Sequence, residues 1–191
     1  MGKHIVEDQL IENKDFSGKA PDAEKYDCCR FVNCDLSGAD LSNIHFLECT
    51  FNDCDLSNAT LAQTAFRDIQ FINCKLIGLN FQDCNPFLLQ MSFTDCQLEL
   101  ASFYQLKLKN TRFQNCNLQE ADFTETDLTN STFETCDLFQ AIFDQTILEK
   151  ADLRTALHYS IDPENNRIRK ARFSREGIVG LLDRYDIEVE G

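Results

Sequence analysis

The chain has 191 residues, a length typical of one domain, and its 43% hydrophobic content is sufficient for a packed core. Its 18 Lys and Arg against 32 Asp and Glu give a net charge of −14, which argues against binding to the phosphate backbone of nucleic acid. There is no run of 18 apolar residues to span a membrane and no apolar signal-peptide core near the amino terminus. We therefore expect a cytoplasmic protein.

From Phe31 onward, every fifth residue is Phe or Leu. This series runs to Phe81, shifts by two residues within 85–91, and resumes from Phe93 to Leu153. A five-residue step fits neither one face of an α-helix nor one face of a strand. In the first block, residues twenty apart are of the same type in 6 of 7 pairs, so four five-residue units would form one coil. Stacked coils would then bury a common core.

The five-residue units themselves have a recognisable form. Ala39-Asp40-Leu41-Ser42-Asn43, Ala121-Asp122-Phe123-Thr124-Glu125 and Ala151-Asp152-Leu153-Arg154-Thr155 resemble pentapeptide repeats of the A(D/N)LXX family. The resemblance covers about residues 29–155 and implies an all-β solenoid, a right-handed quadrilateral β-helix with one unit on each side of a coil. We predict an amino-terminal extension and first-coil cap over residues 1–25, the solenoid over 26–155, and a carboxyl-terminal cap and dimerisation segment over 156–191.

The cysteines follow the same period. Nine of the ten lie two residues before a central position, counting Cys84 before Pro86, which stands where the first register predicts a centre. The resemblance implies that this slot points inward, where a small side chain is needed and a free thiol packs as a small hydrophobe. A twenty-residue coil predicts two ladders of three: one of Cys34, Cys54 and Cys74, and another of Cys96, Cys116 and Cys136. We expect these thiols to be reduced in the cytoplasm.

Catalytic and metal-binding patterns do not stand out. There is no CxxC pair, no Gly-rich phosphate loop, and the three histidines are scattered along the chain. Pairs of carboxylates on neighbouring coils are expected to be solvated. We expect no enzyme, no metal site and no cofactor.

The carboxyl-terminal residues break the five-residue pattern. Residues 162–166 contain a turn signal, Ser174 is a plausible N-cap for an α-helix through about Tyr185, and residues 187–189 alternate like a short strand. A helix this short must bury its apolar stripe, either by plugging the last coil or by meeting a second copy of the chain. The residues predicted to form a homodimer contact are Ile178, Val179, Leu181, Leu182, Ile187 and Val189.

This tail extends the resemblance to a narrower group, the albicidin-resistance and Qnr-type pentapeptide-repeat proteins. The resemblance to that group implies that this protein forms a rod-shaped dimer, mimics duplex DNA and binds type II topoisomerase, mainly DNA gyrase. The alternative is a structural or scaffold solenoid with an unrelated protein partner.

A charge estimate is compatible with DNA mimicry. Residues 26–153 hold 19 acidic and 7 basic side chains. At ~4.8 Å per coil they would span roughly 31 Å, a length over which duplex DNA carries about 18 charges. The predicted partner-binding residues are acidic side chains on the outer faces and turns: Asp35, Asp40, Asp55, Glu120, Asp122, Glu125, Asp127, Asp137 and Asp152.

Overall fold

Short parallel strands stack coil upon coil in the computed structural model, which describes residues 4–188. One sheet has the order β1-β3-β5-β7 and the other the order β11-β10-β9-β8-β6-β4-β2. Nearly all neighbouring strands pair twenty residues apart, as in Phe31 with Phe51. The strands are β1 Ile5–Glu7, β2 Leu10–Glu12, β3 Lys25–Asp27, β4 Arg30–Val32, β5 His45–Leu47, β6 Thr50–Asn52, β7 Ala65–Arg67, β8 Ile69–Ile72, β9 Met91–Thr94, β10 Arg112–Gln114 and β11 Thr132–Glu134.

Each coil has four faces, which we number along the chain. Faces 1 and 2 are the two sheets. Faces 3 and 4 are joined by isolated parallel bridges, for example Asp35 to Asp55 on face 3 and Asp40 to Thr60 on face 4. The 24 Phe and Leu centres predicted from the sequence are all buried, which confirms the five-residue unit. No helix in residues 4–188 is long and apolar enough to cross a membrane.

Stacked aromatic rings fill much of the core. On face 2, consecutive rings such as Phe93 and Phe113 lie nearly parallel, with centroids 5.1 Å apart. Rings on different faces meet edge to face, as Phe113 and Phe123 do at 6.0 Å. Both arrangements are the ones that aromatic quadrupoles favour. Burying such columns is the main source of stability in a fold whose individual coils have no core of their own.

The register shift is an outward loop between β8 and β9. It allows Phe71 to pair with Phe93, two residues beyond the usual spacing. Pro86, where the first register predicts a centre, is instead exposed together with Phe87 and Leu88. The prediction of a centre at Pro86 was therefore wrong. Face 1 has Phe66 before the loop and Leu108 after it, so the loop falls where the core residue on this face changes from Phe to Leu.

The solenoid is longer than the predicted 26–155. Pairing begins with Ile5 and Lys25 and extends to the bridge between Asp152 and Arg172. Residues 5–25 therefore form a coil rather than an extension. Its centres at Val6, Ile11 and Phe16 are only half-buried, because no further coil covers them in the described residues. Val6 and Ile11 occupy centres of this coil, so the Phe and Leu pattern of the later coils does not extend to it.

The corners explain how a β protein folds with only 7 Gly. Two residues after each centre, the backbone usually adopts a positive φ, near 50–66°, as at Asn33, Asp53 and Gly78. Asn and Asp tolerate this left-handed conformation better than other side chains that carry a Cβ. At this position of the repeat, Asn, Asp and other polar residues therefore adopt the left-handed conformation for which glycine is commonly used.

The carboxyl-terminal segment differs from the prediction. In place of an α-helix to Tyr185, it has two 3₁₀ helices, Gly177–Leu181 and Asp183–Tyr185. Ser174 Oγ accepts a hydrogen bond from Gly177 N at 2.9 Å, but the N-cap of the first 3₁₀ helix is Glu176, so Ser174 is not the N-cap that the sequence predicted. Two glycines in the first turns disfavour a regular α-helix, and a left-handed Asp186 ends the segment. Ile187 and Glu188 are not in a strand, and Val189 lies outside the described residues.

The thiol ladders also differ from the prediction. The nine inward cysteines are buried and Cys28 is exposed, as the phase of the repeat indicates. However, the loop restores the register, so Cys74 lies one coil below Cys96. The two ladders of three are therefore one ladder of six, consisting of Cys34, Cys54, Cys74, Cys96, Cys116 and Cys136.

Candidate acidic interface

Acidic residues gather on two adjacent faces. Of the residues that the structure places on face 4 and its two corners between positions 38 and 145, none is Lys or Arg. On face 3 and its first corner over the same coils, Lys75 is the one such cation. We call faces 3 and 4 with their corners the acidic side. It holds seven of the nine predicted acidic residues: Asp35, Asp40, Asp55, Glu120, Asp122, Glu125 and Asp137.

The other two predicted residues lie elsewhere. Asp127 is on face 1, where Lys109 Nζ is 3.1 Å from its carboxylate. Asp152 is on face 2, in contact with the guanidinium groups of Arg154 at 2.8 Å and Arg172 at 3.2 Å. Faces 1 and 2 carry most of the solenoid's basic side chains, so these two carboxylates are locally neutralised. They do not belong to a continuous acidic surface.

The aspartates before each centre also have a local structural role. Asp35 Oδ1 accepts hydrogen bonds from the Ser37 backbone N–H at 2.9 Å and the Ser37 hydroxyl at 2.6 Å. The Asp122 carboxylate accepts the Thr124 N–H at 2.8 Å. Asn117 makes the equivalent contact to Gln119 N at 3.1 Å, so an amide can replace the carboxylate. These Asx turns explain why Asp and Asn recur at this position independently of any partner.

Hydrogen bonds favour the ionised form of two carboxylates of the acidic side, Asp40 and Asp137. The Ser42 hydroxyl and backbone N–H lower the pKa of Asp40. At Asp137, partial burial opposes the charge, but hydrogen bonds from His158, Gln119 and the Phe139 N–H outweigh it and lower the pKa. His158 Nδ1 lies 2.8 Å from Asp137 Oδ1. The lowered pKa of Asp40 and Asp137 therefore keeps these two groups negatively charged near neutral pH.

Sequence reasoning overlooked a second row of acidic groups at the corner between faces 2 and 3. Asp53 and Asp95 alternate there with Asn33, Asn73 and Asn115 on successive coils. The amide of Asn73 donates to Asp53 and that of Asn115 donates to Asp95. All five of these residues stand two positions after a Phe centre, a regularity that can be read from the sequence.

The predicted dimerisation residues divide into two sets. Leu181 packs against the core, and Leu182 is half-buried. Ile178, Val179 and Ile187 are exposed, together with Tyr185. The segment thus both covers the last coil and presents apolar side chains to solvent. Val189 is outside the described residues.

In residues 4–188, no group of three or more His, Cys, Asp or Glu side chains converges in a way that could hold a metal ion. The carboxylates of the acidic side project outward along the coils and do not surround a common point. Their arrangement suits a long-range electrostatic surface.

Comparison with known proteins establishes the family. The model of the pentapeptide repeat region matches residues 25–87 and 88–173, so this chain belongs to the pentapeptide repeat family. No curated protein matches it by sequence. Full-length QnrB1, described as a plasmid-mediated fluoroquinolone resistance protein, is similar in structure with a TM-score of 0.54 and 19% identity, covering 97% of this chain and 100% of QnrB1.

Other solved pentapeptide repeat proteins are similar over less of their length. One is HetL of Nostoc sp. strain PCC 7120, involved in heterocyst differentiation regulation, with 16% identity, a TM-score of 0.35, and 89% of this chain and 87% of HetL covered. Another, from the Arabidopsis thaliana thylakoid lumen, has 17% identity, a TM-score of 0.31, and 89% and 88% covered. At 19% identity, the likeness to QnrB1 shows the fold alone.

Proposed function

We propose that this protein is a non-enzymatic, cytoplasmic DNA mimic whose acidic side occupies the DNA-binding groove of DNA gyrase or a related type II topoisomerase. Binding there would modulate the enzyme or protect it from inhibitors. The resistance role stated for QnrB1, a structure with the same fold, is in keeping with this proposal. The observation that carries it is the segregation of charge: faces 3 and 4 are acidic, whereas the basic side chains lie mainly on faces 1 and 2.

The density of charge supports the proposal. On face 2, nine rungs from Leu10 to Arg172 stack in parallel. At ~4.8 Å per rung they extend roughly 38 Å, a length over which duplex DNA carries about 22 charges. Residues 5–173 contain 27 acidic and 15 basic side chains. Over positions 32–145 the acidic side holds more than ten acidic side chains and one cation, Lys75, so the net negative charge of these coils lies on this side.

A homodimer would lengthen this rod. The exposed Ile178, Val179 and Ile187 lie at the carboxyl-terminal end of the solenoid. We propose that they meet the same residues of a second copy, which would join two solenoids end to end. The contact would be isologous, because one patch would pair with itself.

The test compares two triple variants that each remove three negative charges. Asp35, Asp40 and Asp122 are changed to Asn on the acidic side. In the matched control, Asp27, Asp127 and Asp152 are changed to Asn on faces 1 and 2, where each contacts a basic side chain. Asn can preserve the Asx turns, as Asn117 does, so both variants should fold.

Gyrase affinity is measured at two salt concentrations, together with supercoiling and drug-stabilised cleavage. We expect the acidic-side variant to bind roughly 3- to 150-fold more weakly, from ~0.2–1 kcal/mol for each of three exposed charges, and the control to bind nearly as wild type. Higher salt should weaken wild-type binding. Equal losses in both variants, or no salt dependence, would contradict mimicry by this side. If wild type neither binds gyrase nor alters its reactions, the scaffold alternative is correct.

A further inference from the structure

The carboxyl-terminal segment makes one close backbone contact with the last coil. Residues 174–186, which we call the strap, pass over Tyr159 and Ile161. Gly180 lies against the Tyr159 carbonyl, and its own carbonyl accepts a hydrogen bond from Ile161 N at 2.9 Å. Leu181 packs against the core. The Ile161 amide proton can therefore exchange with solvent only when the strap lifts.

An ionic contact holds the strap near its end. The Arg184 guanidinium contacts the carboxylate of Asp162 and lies 3.3 Å from that of Glu164. The Tyr185 hydroxyl donates to Glu164 Oε1 at 3.0 Å. All four side chains are at least partly exposed, so water and salt compete with these contacts. The ionic contact therefore stabilises the closed strap only weakly.

One buried polar group opposes closure of the strap. Tyr159 is 4% exposed, and its hydroxyl has no hydrogen-bond partner among residues 4–188. A Cβ atom added at Gly177 would lie 2.2 Å from this hydroxyl, so the strap fills the space beside it. Lifting the strap exposes the hydroxyl to water, whereas closing it removes that hydration and supplies no protein partner in return. Closure therefore carries the free-energy cost of a buried, unsatisfied polar group.

We propose that the strap is a two-state element, closed by the Gly180 and Arg184 contacts and destabilised in the closed state by the unpartnered Tyr159 hydroxyl. The strap carries the exposed apolar residues Ile178 and Val179. Closure fixes these two side chains on the end of the solenoid, and opening releases them. This inference rests on the homodimer proposed above, in which the same residues form the contact. The affinity between two copies should therefore fall as the closed fraction of the strap falls.

Hydrogen–deuterium exchange, followed for each amide by NMR, measures opening of the strap through Ile161. Tyr159→Phe removes the unpartnered hydroxyl and keeps the ring, so the Ile161 amide should exchange roughly 5- to 150-fold more slowly than in wild type. Arg184→Gln removes two exposed ion pairs, so exchange should be roughly 2- to 30-fold faster. The Arg30 amide donates to Gln9 O at 2.9 Å at the opposite end of the solenoid, and its exchange should not change in either variant.

Tyr185→Phe is the matched control, because it removes a hydroxyl that does have a partner. In this variant the Ile161 amide should exchange at the wild-type rate or faster. If Tyr159→Phe does not slow exchange of Ile161, the hydroxyl does not oppose closure and the proposal is wrong. Equal changes at Ile161 and Arg30 would also overturn it, because they indicate a change in the stability of the whole solenoid.

The link to self-association is tested in the full chain with Gly180→Ala, which keeps Ile178 and Val179 but blocks closure. Sedimentation equilibrium should give a dimer dissociation constant roughly tenfold or more above that of wild type. An unchanged constant, with rapid exchange at Ile161, would show that closure does not set the affinity. If wild type is a monomer, the homodimer and its control by the strap are both wrong, whereas slower exchange in Tyr159→Phe still establishes the two-state strap.

Discussion

Gly180 packs directly against the backbone of Tyr159. A Cβ atom at Gly180 would lie 2.0 Å from the Tyr159 carbonyl oxygen, and one at Gly177 would lie 2.2 Å from the Tyr159 hydroxyl. The carbonyl of Gly180 accepts a hydrogen bond from Ile161 N at 2.9 Å. The carboxyl-terminal segment is therefore seated on the last coil through Gly180, where any side chain would meet backbone, while Gly177 lies against the side chain of Tyr159. The apolar residues of the segment divide between this coil and solvent.

Gly180→Ala should detach this segment from the coil, because the added methyl group cannot share space with backbone atoms. We expect limited proteolysis to cut the variant near residues 175–185 under conditions that leave the wild type intact. Gly38→Ala is a useful comparison for the effect of a positive φ alone, because no atom lies within 4 Å of the place its Cβ would take. A wild-type cleavage pattern for Gly180→Ala would show that the contact is dispensable.

Removal of residues 174–191 tests the proposed dimer. The truncated protein should keep a β-rich circular dichroism spectrum, since the parallel coils end near Arg172. Light scattering should report a dimer for the full chain and a monomer for the truncated one. A dimer that persists after truncation would show that the tail only plugs the last coil.

Phe113→Ala should destabilise the solenoid by ~3–5 kcal/mol, because it removes a fully buried ring from the middle of a stacked column. Phe87→Ala, at the exposed tip of the loop, should change the free energy of unfolding by no more than ~0.5 kcal/mol. Chemical denaturation of both variants measures the difference. Similar losses in the two would contradict the inward assignment of the five-residue centres.

Thiol reagents should separate Cys28 from the other nine cysteines. The hydrogen bond to Asp27, with a smaller contribution from desolvation, raises the pKa of Cys28 to about 11. Even this exposed thiol should therefore react slowly at pH 7, and its rate should rise about tenfold per pH unit below that pKa. We expect one modified cysteine in native protein and ten after denaturation. Rapid modification of nine or ten in native protein would rule out the buried ladder.

Asp152 should make stability depend on pH. Hydrogen bonding to Arg154 lowers the pKa of Asp152 in the folded protein. The ionised carboxylate therefore stabilises the fold above the pKa of the unfolded chain, ~3.9, and this stabilisation is lost as pH falls through the lower pKa of the folded state. Asp152→Asn should lower the melting temperature at pH 7, by an amount corresponding to at most ~0.2–1 kcal/mol for this largely exposed pair. Thermal unfolding of both proteins should show the difference in melting temperature closing as pH falls below ~3.9 and through the lower pKa of the folded state. A difference in melting temperature between wild type and Asp152→Asn that does not change with pH would exclude the ion pair as its cause.

The periodic features were predictable from the sequence because each depends on position within one five-residue unit. Phe and Leu at the centres, Cys and Ala two residues earlier, and Asp one residue earlier each meet the same environment in every coil. The fold class, the buried centres and the inward phase of nine cysteines were predicted correctly for that reason. The partner-binding role of the aspartates stays a prediction.

Relationships between distant units were decided by the tertiary structure. Cys74 stacks on Cys96 because the loop between β8 and β9 holds the two extra residues outside the coil. The five-residue pattern does not indicate where the extra residues of such a loop are placed. The separation of Asp127 and Asp152 from the acidic side depended on which face each unit occupies and on the cations stacked beside it. At the tail, close contact with Tyr159 accompanied 3₁₀ turns in a segment whose apolar pattern favoured an α-helix. The position of a residue within its five-residue unit determines whether its side chain points inward or outward. Its neighbours on the next coil depend on how many residues the chain uses to complete one coil.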